Sequence, residues 1–324
     1  MPAMAPAAPS PLPPFEVRLA APDIGRWLEG NTGIPGFTTR SASRPGPHVL
    51  VLALSHGNEI AGAVALDRLL AGELAPTRGR LTFGFVNLAA FARFDPPQPT
   101  LSRFIDEDIN RVWDEAVLDG PRCSAELERA REIRPMIDSA DAVLDLHSML
   151  WPSDPLMLCG ETDKGRALAA GIGTPELVVG DRGHASGKRI LDYVRFSRPD
   201  TAFVANLVEA GQHWQPDTVD TMLATVAGLL RHCNMAPEHP LLPPALPRPQ
   251  RFAEVTRAVT ATTTNFAFVQ PWRGGDVVPR RNTLIALDGA AEIRTPYDDC
   301  LLVMPSLRPS RGHTAVRLAR FVKC

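Results

Sequence analysis

The stretch VLVLAL at residues 49–54 runs directly into SHGNE at residues 55–59. An uninterrupted apolar run, without alternation, is what a β-strand shows when helices cover both faces of its sheet. The residues that follow keep a helical spacing, with Ile60, Val64, Leu66, Leu69 and Leu70 on one face. The polar SHGNE segment therefore stands at the carboxyl end of a buried strand, where open α/β sheets gather their functional groups.

Working outward, further strands are expected at residues 81–88, 142–146, 177–179 and 203–208, with helices at 126–137 and 219–230. Strands alternating with helices give an α/β fold, a mixed sheet flanked by helices. After residue 252 the pattern changes to short β-rich runs (AVTATTT, FAFV, TLIAL, CLLVMP) separated by Gly, Pro, Asp and Asn. That is an all-β pattern and predicts a smaller C-terminal domain. The 32 prolines outnumber the 24 glycines and cluster near the N-terminus and again between residues 237 and 249. The expected organisation is an N-terminal arm at 1–15, an α/β domain at 16–235, a Pro-rich linker at 236–250 and a β-rich domain at 251–324.

Composition removes several classes of function. A net charge of −2 over 324 residues excludes a nucleic-acid binder that works through a global basic field. No run approaches the ~20 apolar residues needed to cross a bilayer. The five cysteines are scattered, odd in number and lack a CxxC, which fits a reducing compartment and a cytoplasmic protein. Nearly all the positive charge is arginine, the side chain whose planar fork binds carboxylates.

The chemistry is concentrated at strand ends. His56-x-x-Glu59 closes the first strand, and His147 closes another, just after Asp145. An isolated H-x-x-E is a weak signal, but a second strand-end histidine completes a two-His, one-carboxylate set suited to catalytic zinc. Asp145 is placed to orient a ligand imidazole by accepting its other N–H. The run LSRFIDEDINR at residues 101–111 mixes charges like a solvated loop, yet Phe104, Ile105 and Ile109 anchor it. Its Asn110-Arg111 pair suits bidentate capture of a carboxylate. Glu209, in VEAG, stands where a strand runs into a glycine turn. A carboxylate beside an activated water can take its proton and pass it on.

In order along the chain, SHGNE, SRFIDEDINR, DLHS and VEAG resemble the succinylglutamate desuccinylase/aspartoacylase family, relatives of the zinc carboxypeptidases. The resemblance spans roughly residues 49–230, and RFIDEDINR is closest to the aspartoacylase form. It implies one Zn2+ per chain held by His56, Glu59 and His147, with Asp145 and Asp108 behind the ligands. It also implies Glu209 as general acid/base, Arg103 polarising the scissile carbonyl, and Asn110 with Arg111 holding a substrate carboxylate. Aspartoacylases further use a tyrosine and an arginine before the catalytic glutamate, for which YVRFSR offers Tyr193 and Arg198, with Arg195 competing. They use a C-terminal-domain tyrosine as well, for which Tyr297 is the candidate by scarcity. His184 and His213 are further candidates for lining the pocket. The implied activity is removal of an N-acyl group from a small anionic amino acid, with assembly into a dimer left open. Alternatives are a carboxypeptidase-like enzyme, an N-acetyl-diamine deacetylase, or a non-catalytic relative that binds metal or ligand.

Overall fold

The computed structural model describes residues 15–183, 186–245 and 249–323. The arm at 1–14, His184 and Pro247 lie outside the described residues. Two compact units result: one of Val17–Leu150 and Pro155–Phe252, the other formed largely by Ala253–Cys324 with Trp151–Asp154.

The first unit is built on β1 (Phe37–Ser41), β2 (His48–Ala53), β3 (Arg80–Phe85), β4 (Ala142–Met149), β5 (Leu156–Leu158), β6 (Leu177–Gly180) and β7 (Val204–Gln212). Their spatial order is β1-β3-β2-β4-β7-β5-β6. β3, β2, β4 and β7 run parallel; β1 pairs antiparallel with β3, and β5 antiparallel with β7. The apolar residues 49–54 are fully buried, as a strand covered on both faces requires.

The helices are α1 (Ile60–Ala71), α2 (Leu88–Phe91), α3 (Glu115–Leu118), α4 (Ala125–Ser139), α5 (Asp163–Ile172), α6 (Val194–Ser197) and α7 (Pro216–His232). α1 and α5 pack against α7, and these three helices lie on β2, β4 and β7. Among the described residues no helix is long and apolar enough to cross a membrane.

Three expectations about element ends are corrected. The strand expected at 81–88 stops at Phe85, because Asn87 caps a new helix: its side chain accepts the Ala90 N–H at 3.1 Å. β4 continues through His147 to Met149, and β7 continues through Glu209 to Gln212 instead of breaking into a turn. Both extensions come from the β4–β7 ladder, which still pairs His147 with Glu209. The Pro-rich residues 236–245 group with the first unit rather than forming a separate tether. His239 Nε2 lies 2.8 Å from the Gly72 carbonyl, and Arg231 donates to the Pro243 carbonyl at 2.8 Å.

The second unit holds β8 (Arg251–Thr260) from Ala253 onward, β9 (Phe266–Phe268), β10 (Val277–Val278), β11 (Leu284–Asp288), β12 (Ala291–Arg294), β13 (Cys300–Val303) and β14 (Thr314–Val322). β8-β14-β13-β10 are neighbours in order, and β12-β11-β9 form a small antiparallel sheet. Val259, Phe266, Ile285, Val316 and Leu318 are part of its own core.

The loop that follows β2 leaves no room for a side chain at Gly57. A Cβ there would stand 2.4 Å from the Ala90 carbonyl carbon and the Phe91 nitrogen, and 2.6 Å from the Ser102 oxygen. Gly57→Ala must therefore push backbone apart, and chemical denaturation should show a loss of about 1–3 kcal/mol or more. Stability equal to wild type would contradict this close approach.

Candidate metal centre and active site

Strand register assembles the site. β2–β4 pairing sets Leu52 beside Asp145, and β4–β7 pairing sets His147 beside Glu209. His56 lies in the loop after β2, and Glu59 is the residue immediately before α1. Among the described residues, His56, Glu59 and His147 form the one group of histidine, cysteine and carboxylate side chains suited to a metal ion. Their ligand atoms lie within 4.8 Å of one another, and all three residues are buried.

The Glu59 carboxylate stands between the two rings. Its Oε1 is 2.7 Å from His56 Nδ1 and its Oε2 3.1 Å from His147 Nδ1. Oε2 also accepts the Ser148 N–H at 3.0 Å. The far ring nitrogens are occupied by other carboxylates. His56 Nε2 is 3.0 Å from Asp108 Oδ1, and His147 Nε2 is 2.8 Å from Asp145 Oδ2. Ser55 Oγ donates to Asp145 Oδ1 at 3.0 Å and steadies it. Were a cation to take the place between the rings and Glu59, a carboxylate accepting each Nε2–H would hold the tautomer in which Nδ1 offers its lone pair to the metal, the arrangement metal-binding imidazoles use. The residues present thus fit a divalent cation.

Charge compensation inside this cluster is strong. Burial opposes ionisation of Glu59, but His56 and His147 outweigh it and hold the carboxyl well below the usual range. Burial likewise opposes a charged His147, yet Asp145 and Glu59 raise it well above the usual imidazole value. Burial is the largest single influence on Asp108 and pushes it up, but His56, Arg103 and Arg111 together outweigh it and hold the carboxyl well below the usual range.

The segment 101–111 supplies the cationic side of the site. Arg103 NH2 donates to Asp108 Oδ2 at 3.1 Å and lies 2.9 Å from His56 Nε2. Its side chain is 36% exposed, so the guanidinium is accessible from outside the cluster. Arg111 donates to the Asn110 carbonyl at 2.5 Å and lies 3.7 Å from Asp108 Oδ2. Asn110 is buried, and its Oδ1 accepts the Ile190 N–H at 2.7 Å. Its Nδ2 is 3.5 Å from Asp145 Oδ2 and 3.3 Å from His147 Nε2, so the amide stands behind the His147 ring as well as beside Arg111. Glu209 is 7% exposed, and its charge acts on Arg103.

The structure brings nine of the candidates together: His56, Glu59, His147, Asp145, Asp108, Arg103, Asn110, Arg111 and Glu209. Arg198 is held by a different contact; exposed, it donates to Asp200 at 2.6 Å. Tyr297 belongs to the second unit, where its hydroxyl is 2.6 Å from Thr256 Oγ1 and Arg320 lies over its ring. Tyr193 is buried with its hydroxyl accepting from Arg134 at 3.0 Å. His213 joins the cluster through Ser148, with its Nδ1 2.7 Å from Ser148 Oγ. Burial drives His213 down to about 4, so the ring is neutral at neutral pH. The backbone donors of Ser148 and Ile190 carry no sequence signal, since every residue but proline has a backbone N–H and only the fold aims it.

If Asp145 fixes His147 for a metal, Asp145→Asn should weaken metal affinity roughly 10–100-fold. Competition titration against a chelating dye checks this, and unchanged affinity would contradict it. The profile of the succinylglutamate desuccinylase/aspartoacylase catalytic domain matches residues 45–233. No curated protein matches the sequence. A succinylglutamate desuccinylase from Vibrio parahaemolyticus is similar in structure, with a TM-score of 0.66 at 18% identity over 89% of this chain and 87% of that one. A succinylglutamate desuccinylase/aspartoacylase from Rhodobacter sphaeroides gives 0.65 at 18% identity, covering 90% of each chain. Murine aminoacylase 3 gives 0.59 at 18% identity over 87% of this chain and 97% of its own. On the match to its catalytic domain, the chain belongs to the succinylglutamate desuccinylase/aspartoacylase family.

Proposed function

We propose that the protein is a zinc-dependent amidohydrolase that removes an acetyl- or succinyl-like group from an amino acid or similar small carboxylate. The observation that carries this reading is the pairing of His147 with Glu209 on adjacent strands, beside the buried His56–Glu59–His147 donor set. The two-His, one-Glu set favours zinc, one ion per chain, and leaves a position open for substrate or water. Bound there, the ion supplies Lewis-acid polarisation of a carbonyl and acidifies water.

The rest of the chemistry belongs to the chain. Glu209 takes a proton from the attacking water through its carboxylate as the water oxygen bonds to the amide carbon. Arg103 donates to the oxyanion that develops on the carbonyl oxygen, using the partly exposed guanidinium beside His56. As the C–N bond breaks, Glu209 returns the proton to the leaving nitrogen. Arg111, with Asn110 next to it, receives the substrate carboxylate through charge-assisted hydrogen bonds. Two arginines among buried carboxylates favour a small anion over a long peptide.

Glu209→Gln should lower kcat by roughly 10²–10⁴-fold while metal content stays at one per chain. Retention of wild-type turnover would remove Glu209 from the reaction. The wider reading is checked by assaying the metal-loaded protein against N-acetyl, N-succinyl and N-formyl amino acids, peptides and N-acetyl-diamines. Turnover of N-acyl amino acids is expected; hydrolysis confined to peptides or diamines would contradict it.

A further inference from the structure

Helix α4 opens at Ser124, whose Oγ accepts the Leu127 N–H at 3.0 Å, and its second residue is Glu126. This carboxylate is only 1% exposed, and no basic side chain is its partner among the described hydrogen bonds. Its oxygens are turned onto the main chain of the Arg-bearing segment. Oε1 accepts the Ile105 N–H at 2.6 Å and Asn87 Nδ2 at 3.0 Å, while Oε2 accepts the N–H groups of Asp106 at 2.9 Å and Glu107 at 3.2 Å. Hydrogen bonds to an ionised acceptor are the strong ones, and four donors come close to filling its capacity.

The contact is reciprocal. Asp106 Oδ2 accepts the Ala125 N–H at 2.7 Å, Glu107 Oε1 accepts from Ser124 Oγ at 2.6 Å, and Glu107 pairs with Arg122. Residues 105–107 belong to no helix or strand, so the first turn of α4 takes the place of a ladder for them. On either side stand Arg103 and Asp108, the two residues that contact His56 Nε2.

We infer that Glu126 is a positioning residue of this site: it fixes the path of residues 105–107, and thereby the placement of Arg103 and Asp108 against His56. The inference rests on reading His56 as a metal ligand and is independent of the substrate. Glu126→Gln keeps the shape but turns an N–H donor toward main-chain N–H groups, and Glu126→Asp withdraws the carboxylate by one methylene.

Hydrogen exchange followed by mass spectrometry, together with the rate of zinc release to a chelator, tests this on the zinc-loaded full chain. In either variant, peptides covering residues 103–108 should exchange roughly tenfold faster while β2, β4 and β7 keep their protection. Zinc release should speed up several-fold, as expected when the carboxylate behind a ligand imidazole loosens. Unchanged loop exchange, or faster exchange without faster release, would overturn the inference. If Glu126→Gln does not fold, Asp106→Asn loosens the same contact from the loop side and should show the same pattern more weakly; wild-type behaviour there would overturn it equally. Wild-type protein that binds no zinc would defeat the metal reading instead, and faster loop exchange in the variants would still support the hold of Glu126 on the segment.

Discussion

The parallel pairing of β4 with β2 on one side and β7 on the other is the constraint on which the rest of the structure depends. It sets Leu52 beside Asp145 and His147 beside Glu209, so groups far apart in sequence arrive at one end of one sheet. A slip of one residue in either ladder would turn His147 or Glu209 to the opposite face. The slip is resisted by packing: Leu50, Leu52, Val143, Leu144 and Leu146 are all fully buried, and a slip would force side chains of different shape into one another's places on both faces of the sheet.

The cluster gathered there would be costly without mutual compensation. Glu59, Asp108 and Asp145 are largely removed from water, and breaking a buried ion pair by deleting one partner costs far more than the pair contributes. Each of these carboxylates faces an imidazole, and Asp108 also faces two guanidinium groups. The same compensation sorts the groups by role. Asp108 and Asp145 stand at the Nε2 atoms of the rings, Glu59 faces both Nδ1 atoms, and the two arginines place positive charge beside Asp108.

Much of this was legible in the sequence, for physical reasons that can be named. The run at residues 49–54 has no polar interruption, so only a strand covered on both faces suits it, and the His and Glu that follow fall at its carboxyl end. Glu209 was legible as a strand-end carboxylate, although its strand runs three residues further, to Gln212. What was not legible depends on contacts between distant segments. Glu126 reads as one more charge on a mixed helix until the N–H groups of residues 105–107 are seen turned toward it. Asn110 pairs with the Ile190 N–H, which no local pattern announces. Arg198 matched a family position in kind but stands on the surface with Asp200 two residues away. The proline cluster signalled a boundary through composition, whereas its backbone carbonyl at Pro243 and the His239 ring are tied to the α/β unit.

Anomalous diffraction at the zinc edge, from crystals of the protein reconstituted with one equivalent of zinc, tests the central claim most directly. A single peak is expected, bound through Nδ1 of His56, Nδ1 of His147 and the Glu59 carboxylate, with Asp108 and Asp145 still on the two Nε2 atoms. A peak elsewhere, ligation through Nε2, or no ordered zinc at these residues would contradict it.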